Sequence, residues 1–352
     1  MQRFDEGLAF LLRYENIAWY ENGVVRILDR RIYPNEISFV ECKSHQEVAK
    51  AIKDMVTQSA GPYTACGMGM ALAAYEARNL GKAEFINYLN EAAKTLYTAR
   101  PTTTKRMKLI TDGCIEAALD ALEKGERVDE KIFLHTIEHN NTRYRRINDV
   151  AKYLTDMFPK KGTIMTQCFG ETIVGMMLKE AKEKNLDIKV ICPETRPYFQ
   201  GSRLTASVCY DQGFDVTVIT DNMPAYVMEE KKVDLFTSAA DAICMDGYVV
   251  NKVGTYQIAI VAKYLKIPYF VTGIPDIGHE SISTVTIEKR DGDFVLQAMG
   301  VKTAKDGVKG YYPSFDITPP HLVSGVVTDR GIFSPYDLKR YFRGDEKIEM
   351  IL

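Results

Sequence analysis

The sequence is short of several patterns that define common classes of protein. Its seven cysteines form no Cys-x-x-Cys pair, so neither a zinc knuckle nor a disulfide framework is indicated. No run of 18 or more apolar residues occurs, so no membrane span is predicted. The N-terminus lacks the basic-then-apolar layout of a secretory signal. We therefore expect a cytoplasmic protein with free thiols and no membrane partner.

Excess charge and cofactor motifs are missing as well. A net charge of -2 gives no reason to expect a nucleic-acid partner. No Gly-x-Gly-x-x-Gly follows a predicted strand, and no phosphate-binding P-loop occurs, so a nucleotide cofactor is not supported. His135 and His139 lie four residues apart on a predicted helix, but no third ligand is near, which favours a solvated helix face over a metal site. We expect neither a cofactor nor a metal.

The 352 residues predict an α/β protein with two domains. Residues 1–158 predict a mainly helical N-terminal domain that carries a small β region at 14–42. Within that region Glu21-Asn22-Gly23 separates two apolar runs, a strong hairpin signal. Residues 159–352 predict a Rossmann-like parallel sheet with crossover helices, because short apolar runs alternate with helical stretches. The predicted strands are Thr163–Gln167, Ile188–Cys192, Asp215–Thr220, Val233–Ser238 and Tyr269–Thr272; the helices between them are Ile173–Lys184, Leu204–Gln212, Pro224–Lys231 and Val253–Leu265.

Chemically useful groups follow the predicted strands. Residues just past parallel strands meet at one edge of a sheet, where ligands bind. Cys168 follows the first strand and precedes a helix, whose N-terminus favours a thiolate that serves as base or nucleophile. Asp241 follows the fourth strand among alanines, where burial would raise its pKa and let it act as an acid. The plainer interpretations are a small buried thiol and a turn-forming carboxylate.

Candidate anion-binding groups complete this prediction. The segment Asn251-Lys252-Val253-Gly254-Thr255 has the pattern of the opening of a helix and places an amide and an ammonium group at a strand-to-helix junction. Arg100, Arg196 and Arg203 are further candidates, together with helix N-terminal amides. The residues therefore indicate acid–base chemistry on a small anionic substrate.

One segment carries a resemblance to a known family. Residues 194–206, Glu-Thr-Arg-Pro-Tyr-Phe-Gln-Gly-Ser-Arg-Leu-Thr-Ala, resemble the signature of the methylthioribose-1-phosphate isomerase family. The wider superfamily includes ribose-1,5-bisphosphate isomerase and the regulatory subunits of translation initiation factor 2B. The resemblance spans nearly the whole chain in order, and the N-terminal hairpin favours the methylthioribose branch. Other matching segments are residues 51–55, 99–102, 219–223, 240–243, 251–255, 267–270 and 313–319.

The resemblance implies an activity and a set of site residues. The reaction would be aldose-to-ketose isomerisation of a 5-modified ribose 1-phosphate, such as 5-methylthioribose 1-phosphate to 5-methylthioribulose 1-phosphate in methionine salvage. It would need no cofactor and would move a proton or a hydride between C2 and C1. A homodimer is expected on the resemblance alone. The matching positions are Cys168 and Asp241 for catalysis, Gln200, Asn251 and Lys252 for substrate binding, and Arg100 for phosphate binding.

The sequence departs from the family at two places. Gln58, Ser59 and Ala60 stand where the family has an Arg-Gly-Ala-Pro loop that binds phosphate. Glu171 adds a carboxylate where the family has Asn-x-Gly after the cysteine. These changes leave open a paralogue that acts on a 5-deoxypentose phosphate or another sugar. A non-catalytic subunit that senses a sugar phosphate or nucleotide is the remaining alternative, although retention of both Cys168 and Asp241 favours an enzyme. Candidate replacements for the missing charge, set against an ordinary exposed helix face, are Arg143, Arg145 and Arg146.

Overall fold

A computed structural model describes residues 3–100 and 104–343. The described chain forms two compact units, one ending at Arg145 and the other beginning at Arg146. The division falls inside one long helix, Val128–Thr155. The domain boundary predicted between residues 158 and 159 stays a prediction. In the described ranges no helix is both long enough and apolar enough to span a bilayer.

The first unit contains the small β region that the sequence predicts. Strands β1 (Ala18–Glu21), β2 (Val24–Leu28) and β3 (Phe39–Cys42) form an antiparallel sheet in that order. Asn22 and Gly23 between β1 and β2 have φ values of 49° and 80°. Two consecutive positive φ values are typical of a type I′ turn, whose twist matches that of the strands. The predicted hairpin is confirmed.

Helices make up most of the first unit, as predicted. Helix α3 is buried on nearly every side because its small residues allow close approach. A Cβ added to Gly67 would lie 2.6 Å from the Thr136 side chain of the long helix, and one added to Gly69 would lie 2.9 Å from Leu96. The helices are α1 (Tyr14–Ile17), α2 (His45–Lys53), α3 (Gly61–Glu76), α4 (Lys82–Tyr97), α5 (Thr104–Lys124) and α6 (Val128–Thr155), the last of which continues into the second unit.

The second unit is built from strands alternating with helices. Its strands are β4 (Lys161–Met165), β5 (Asp187–Pro193), β6 (Asp215–Ile219), β7 (Leu235–Ala239), β8 (Ala242–Ile243), β9 (Val249–Lys252), β10 (Tyr269–Thr272), β11 (Lys289–Arg290), β12 (Gln297–Ala298), β13 (Val301–Lys302), β14 (Tyr312–Pro313), β15 (Phe315–Thr318), β16 (Gly325–Thr328) and β17 (Gly331–Phe333). Its helices are α7 (Thr172–Glu183), α8 (Ala206–Asp211), α9 (Pro224–Glu230) and α10 (Thr255–Tyr264), and a π-helical turn, Gly201–Thr205, precedes α8.

Seven of these strands form the main sheet, in the order β17-β16-β10-β7-β4-β5-β6. All neighbouring pairs are parallel except β16 with β17. The predicted parallel sheet with crossover helices is therefore confirmed. The chain adds β5 and β6 on one side of β4 and then returns to place β7 on the other side. The boundary between β4 and β7 is thus the topological switch point, the usual position of a ligand site in such sheets.

One local prediction is wrong. Asn251 and Lys252 do not open a helix; they end β9, which lies between β8 and β15 in a separate three-stranded sheet. Backbone pairing with β15, in which Asn251 lies opposite Asp316, holds the segment extended. Helix α10 starts only after Gly254, whose φ of 107° reverses the chain direction and suits glycine.

Candidate active site

The two predicted catalytic residues lie at the switch point of the main sheet. Cys168 follows the carboxyl end of β4 and Asp241 follows that of β7, and these strands are neighbours. A Cβ placed on Gly170 would lie 3.2 Å from the Cβ of Ala239, so the loop after β4 lies against the carboxyl end of β7. The charge of Asp241 also acts on the Cys168 thiol. The structure therefore brings this predicted pair together.

Cys168 holds its proton more firmly than the sequence predicted. Burial raises the pKa of its thiol to about 11; the positive charge of Lys252 and the backbone N–H of Phe169 oppose this, and Asp241 and Asp221 add to it. The expectation of a thiolate is wrong because α7 starts only at Thr172, and a helix dipole acts mainly within its first turn. Desolvation therefore dominates, and near neutral pH the group is a neutral thiol.

Asp241 lies in a different environment from the one predicted. Its side chain is exposed, and the alanines around it are only partly buried. The predicted burial of Asp241 is therefore wrong. Its backbone N–H donates to the carbonyl of Val250 at 2.9 Å, which fixes the residue beside β9. In this position the carboxyl group stays within electrostatic reach of Cys168.

Lys252 and Asn251 are buried at the end of β9. The Lys252 ammonium lies 3.3 Å from the Tyr312 hydroxyl and 5.1 Å from the centre of the Phe315 ring. Aromatic faces attract a cation, so this enclosure keeps the charge inside the protein, where it acts on Cys168. The Asn251 amide donates to the Thr255 hydroxyl at 3.0 Å, which orients it towards the first turn of α10.

Gln200 lies in the loop that follows β5, immediately before the π-helical turn. A Cβ on Gly201 would lie 1.8 Å from the carbonyl oxygen of Pro193, so only glycine fits there. Gln200 is buried, and its Oε1 has no hydrogen-bond partner among residues 3–100 and 104–343. A buried acceptor without a partner is costly, which is expected of a group that meets a ligand.

Sequence reasoning missed the role of Asp221. Its carboxylate accepts hydrogen bonds from the backbone N–H groups of Thr195 and Arg196, at 2.8 and 2.6 Å. Asp221 follows β6, so it holds the Glu194–Ala206 loop across the edge of the sheet. Asp221 directly follows the predicted strand Asp215–Thr220, but only the fold shows that it anchors the loop that carries Gln200.

Left-handed backbone conformations recur in these loops. Cys168, Glu171, Thr195 and Phe199 all have φ values between 51° and 64°, in the left-handed region that non-glycine residues rarely adopt. Such strain is typical of functional sites. Glu171, the unexpected carboxylate, is fully buried as the N-cap residue of α7. Its conformation places it in the strained loop that Cys168 opens.

The remaining predicted residues belong to the first unit. Gln58, Ser59 and Ala60 form the loop before α3, with Ala60 as its N-cap residue. The Arg30 guanidinium donates a hydrogen bond to the Gln58 carbonyl at 2.6 Å, and this bond holds the loop in place. The N-terminus of a helix favours anions, so this position agrees with a phosphate-binding role. Arg100 follows the end of α4 and is partly buried.

The three candidate replacement arginines lie in different environments. Arg145 is exposed, and Arg146 pairs with Asp329 at 2.8 Å within the second unit. Arg143 is buried in the first unit. The expectation of an exposed helix face therefore fits Arg145 alone.

Together, a mainly parallel sheet with a partly buried thiol and a buried ammonium and amide at its switch point define an α/β protein with a small-molecule site. Residues 62–335 match the Initiation factor 2 subunit family. The chain is 36% identical to methylthioribose-1-phosphate isomerase 1 of Pseudothermotoga lettingae, over 91% of this chain and 94% of that protein. It also matches 5-methylthioribose 1-phosphate isomerase from Pyrococcus horikoshii, with a TM-score of 0.82, 28% identity and coverage of 94% and 96%.

A second solved structure carries the name of a translation initiation factor. It is translation initiation factor eIF-2B, subunit delta, from A. fulgidus, with a TM-score of 0.77, 30% identity and coverage of 91% of this chain and 96% of that one. The chain belongs to the methylthioribose-1-phosphate isomerase branch of the Initiation factor 2 subunit family.

A carboxylate outside the predicted set holds α10 in place. Asp316 on β15 accepts hydrogen bonds from the backbone N–H of Gly254 at 2.6 Å and of Tyr256 at 3.2 and 3.1 Å. Burial raises the pKa of Asp316 to about 6, although these N–H groups and the charge of Lys252 oppose the shift. Asp316 therefore fixes the turn between Lys252 and α10 from a strand far along the chain.

The first prediction concerns the pH dependence of stability. Because the pKa of Asp316 rises from 3.8 to about 6 on folding, the native state holds this proton between those values. The contribution of this pKa shift to the free energy of unfolding is greatest below pH 4. It is lost as the pH rises towards 6, a change on the order of 3 kcal/mol. Urea unfolding of wild type and Asp316→Asn from pH 4 to 7 measures it. Stability curves that stay parallel across this range would contradict the assignment.

The second prediction concerns the Cys168 thiol. With a pKa of about 11, its alkylation by iodoacetamide at pH 7 should be roughly a hundredfold slower than that of an ordinary thiol, and about tenfold faster with each pH unit. Lys252→Met should slow it further by removing the opposing charge. Mass spectrometry follows the reaction from pH 7 to 9.5, with Cys168→Ala as the blank. Rapid alkylation at pH 7 that levels off below pH 8 would instead indicate a thiolate.

Proposed function

We propose that this protein converts 5-methylthioribose 1-phosphate to 5-methylthioribulose 1-phosphate, with Cys168 and Asp241 as the acid–base pair. At the coarser level the chain is an aldose–ketose isomerase of a sugar phosphate, since relatives covering more than nine-tenths of it carry the name of that isomerisation. The single observation that carries the finer proposal is the meeting of Cys168, Asp241 and Lys252 at the switch point.

The reaction requires four proton movements. Protonation of the ring oxygen breaks its bond to C1 and leaves positive charge on the C1–O–phosphate group. Loss of a proton from C2 neutralises that charge and forms a 1,2-enol. Protonation at C1 and loss of the proton from the C2 hydroxyl then give the ketose. An acid and a base placed on opposite sides of one carbon pair provide these steps.

The environments of the two residues support this division of work. The Cys168 thiol carries its proton near neutral pH, so it is suited to donate one first. Asp241 is exposed, so its carboxyl group can receive a proton and return it to solvent. A buried ammonium on Lys252 stabilises negative charge that develops on the substrate or on the thiol. In this assignment neither residue acts as a nucleophile.

The substrate-binding roles are proposed on the same basis. Gln200, with its buried unpartnered oxygen, accepts a hydrogen bond from a sugar hydroxyl. Asn251 and Lys252 bind the sugar phosphate at the end of β9. Gln58, Ser59 and Ala60, at the start of α3, and Arg100 contribute to phosphate binding. A homodimer in the cytoplasm remains part of this proposal.

The third prediction names the substrate. Ribose 1-phosphates that carry methylthio, hydrogen, hydroxyl or phosphate at C5 are incubated with the protein, and ketose formation is measured. We expect the 5-methylthio compound to give the highest kcat/KM. Preference for the 5-deoxy compound would identify a paralogue with another substrate. If none of the four compounds gives a ketose but one of them still binds, the result would support the alternative of a non-catalytic sensing subunit, which the similarity to eIF-2B subunit delta suggests.

The fourth prediction tests the acid–base pair. Cys168→Ala and Asp241→Asn should each lower kcat by at least about a hundredfold, because each removes one proton-transfer group. Cys192→Ala, a thiol on the neighbouring strand β5, and Asp215→Asn, an exposed carboxylate on β6, are the controls and should retain activity. Circular dichroism confirms that all four variants fold. Near wild-type kcat in either site variant would overturn the assigned mechanism.

A further inference from the structure

Gln167 is a buried residue to which the proposed function gives no role. It lies two residues beyond the end of β4, directly before Cys168, and it is 3% exposed. Its Nε2 atom donates a hydrogen bond to the Val253 carbonyl at 3.3 Å. Its Oε1 atom has no hydrogen-bond partner in the part of the chain that the structure describes. The amide group is therefore held at its nitrogen and left unsatisfied at its oxygen.

The turn that Gln167 contacts is the one between β9 and α10. A Cβ on Gly254 would lie 2.9 Å from the Gln167 Nε2 atom, so the glycine makes room for the amide group. The N–H groups of this turn bind to the start of β15 and the residue before it. Val253 donates to the Ser314 carbonyl at 3.2 Å, and the N–H of Gly254 donates to the Asp316 carboxylate. The C-terminal strands thus hold the N–H groups of the turn, and Gln167 holds its carbonyl.

This turn directly follows Lys252, the last residue of β9. The ammonium group of Lys252 acts on the Cys168 thiol and opposes the effect of burial. Gln167 is joined to Cys168 by a peptide bond and to the residue after Lys252 by a hydrogen bond. Because the interaction between two charges weakens with distance, a link between these two segments sets how strongly the ammonium acts on the thiol.

The unsatisfied oxygen indicates that Gln167 is not kept for stability. A buried acceptor without a partner costs more free energy than one neutral hydrogen bond usually contributes. A methionine fills a similar volume without that cost, because its side chain is long, flexible and apolar. An amide that is present at a net cost in stability is expected where its contact serves a functional site.

We propose that Gln167 is a positioning residue of the candidate active site. By its hydrogen bond to the Val253 carbonyl it holds the turn after Lys252 against the loop of Cys168, and so keeps the ammonium group within reach of the thiol. Its effect on turnover rests on the proposed function, in which Lys252 stabilises developing negative charge. Its effect on Cys168 does not, because that effect is present without substrate.

The fifth prediction measures this link through Cys168 without substrate. Alkylation by iodoacetamide from pH 8 to 9.5 is followed by mass spectrometry in wild type, Gln167→Met, Lys252→Met and the double variant. Gln167→Met should slow the reaction roughly twofold to tenfold, because a weaker effect of Lys252 leaves less thiolate at each pH. The double variant should react at the rate of Lys252→Met, since Gln167 acts through that charge. The other charges that act on Cys168, those of Asp241 and Asp221, are unchanged in all four proteins.

Gln212 provides a matched control for the loss of a buried amide group. It is a buried glutamine whose Nε2 atom donates to the Gly175 carbonyl at 3.0 Å, a contact that joins the end of α8 to α7. Gln212→Met should leave the alkylation rate of Cys168 unchanged, even where urea unfolding shows a loss of stability. In the isomerase assay Gln167→Met should lower kcat roughly tenfold to a hundredfold with little change in KM, whereas Gln212→Met should keep the wild-type kcat.

The outcomes separate this inference from the proposed function. Alkylation of Gln167→Met at the wild-type rate or faster overturns the positioning role, and so does an effect of Gln167→Met that persists undiminished in the Lys252→Met background. If the four proteins react as expected but wild type forms no ketose, the positioning role stands and the proposed function fails. If circular dichroism shows that Gln167→Met does not fold, Gln167→Asn replaces it. Its amide is one methylene shorter, so the same slower alkylation is expected, and a wild-type rate overturns the role.

Discussion

The parallel pairing of β4 with β7 is the constraint on which the candidate site depends. These strands are separated in sequence by β5, β6 and three crossovers, yet they are neighbours in the sheet. The chain adds β5 and β6 on one side of β4 and then places β7 on the other side. The loops that follow β4 and β7 therefore lead away in opposite directions across the sheet. Cys168 and Asp241 lie in those loops, and the strand pairing alone brings them within electrostatic reach.

Two effects set the electrostatics of the site: the burial of the Cys168 thiol and the positive charge of Lys252. Burial alone would leave Cys168 unreactive, and the Lys252 ammonium opposes that effect. Tyr312 and Phe315 enclose the ammonium, and Asp316 fixes the turn that follows it. All three lie on β14 or β15, more than fifty residues further along the chain. The C-terminal strands thus hold in place the cation that opposes the effect of burial on the Cys168 thiol.

Much of the fold is predictable from the sequence, because apolar runs and turn residues act locally. The five predicted strands of the main sheet all appear, and the Asn22-Gly23 turn forms as expected. Asn251 and Lys252 were placed in a helix because their pairing with β15 is non-local, and no local pattern records it. The burial of Cys168 and the exposure of Asp241 depend on tertiary structure, and so does the anchoring of a loop by Asp221. The sequence therefore predicts well where a side chain at a strand end lies, but it predicts poorly whether that side chain is protonated.

The close approach of Gly201 to the Pro193 carbonyl also bears on how the site can change over time. The bend after β5 requires a residue without a side chain at that point, whatever the protein binds. Gln200, its neighbour, is under no such steric demand, and its proposed contact with a ligand is made only through its side chain. New specificities can therefore arise by exchanging residues beside the bend while the bend itself persists. The loop separates the part of the site that must be kept from the part that is free to diverge.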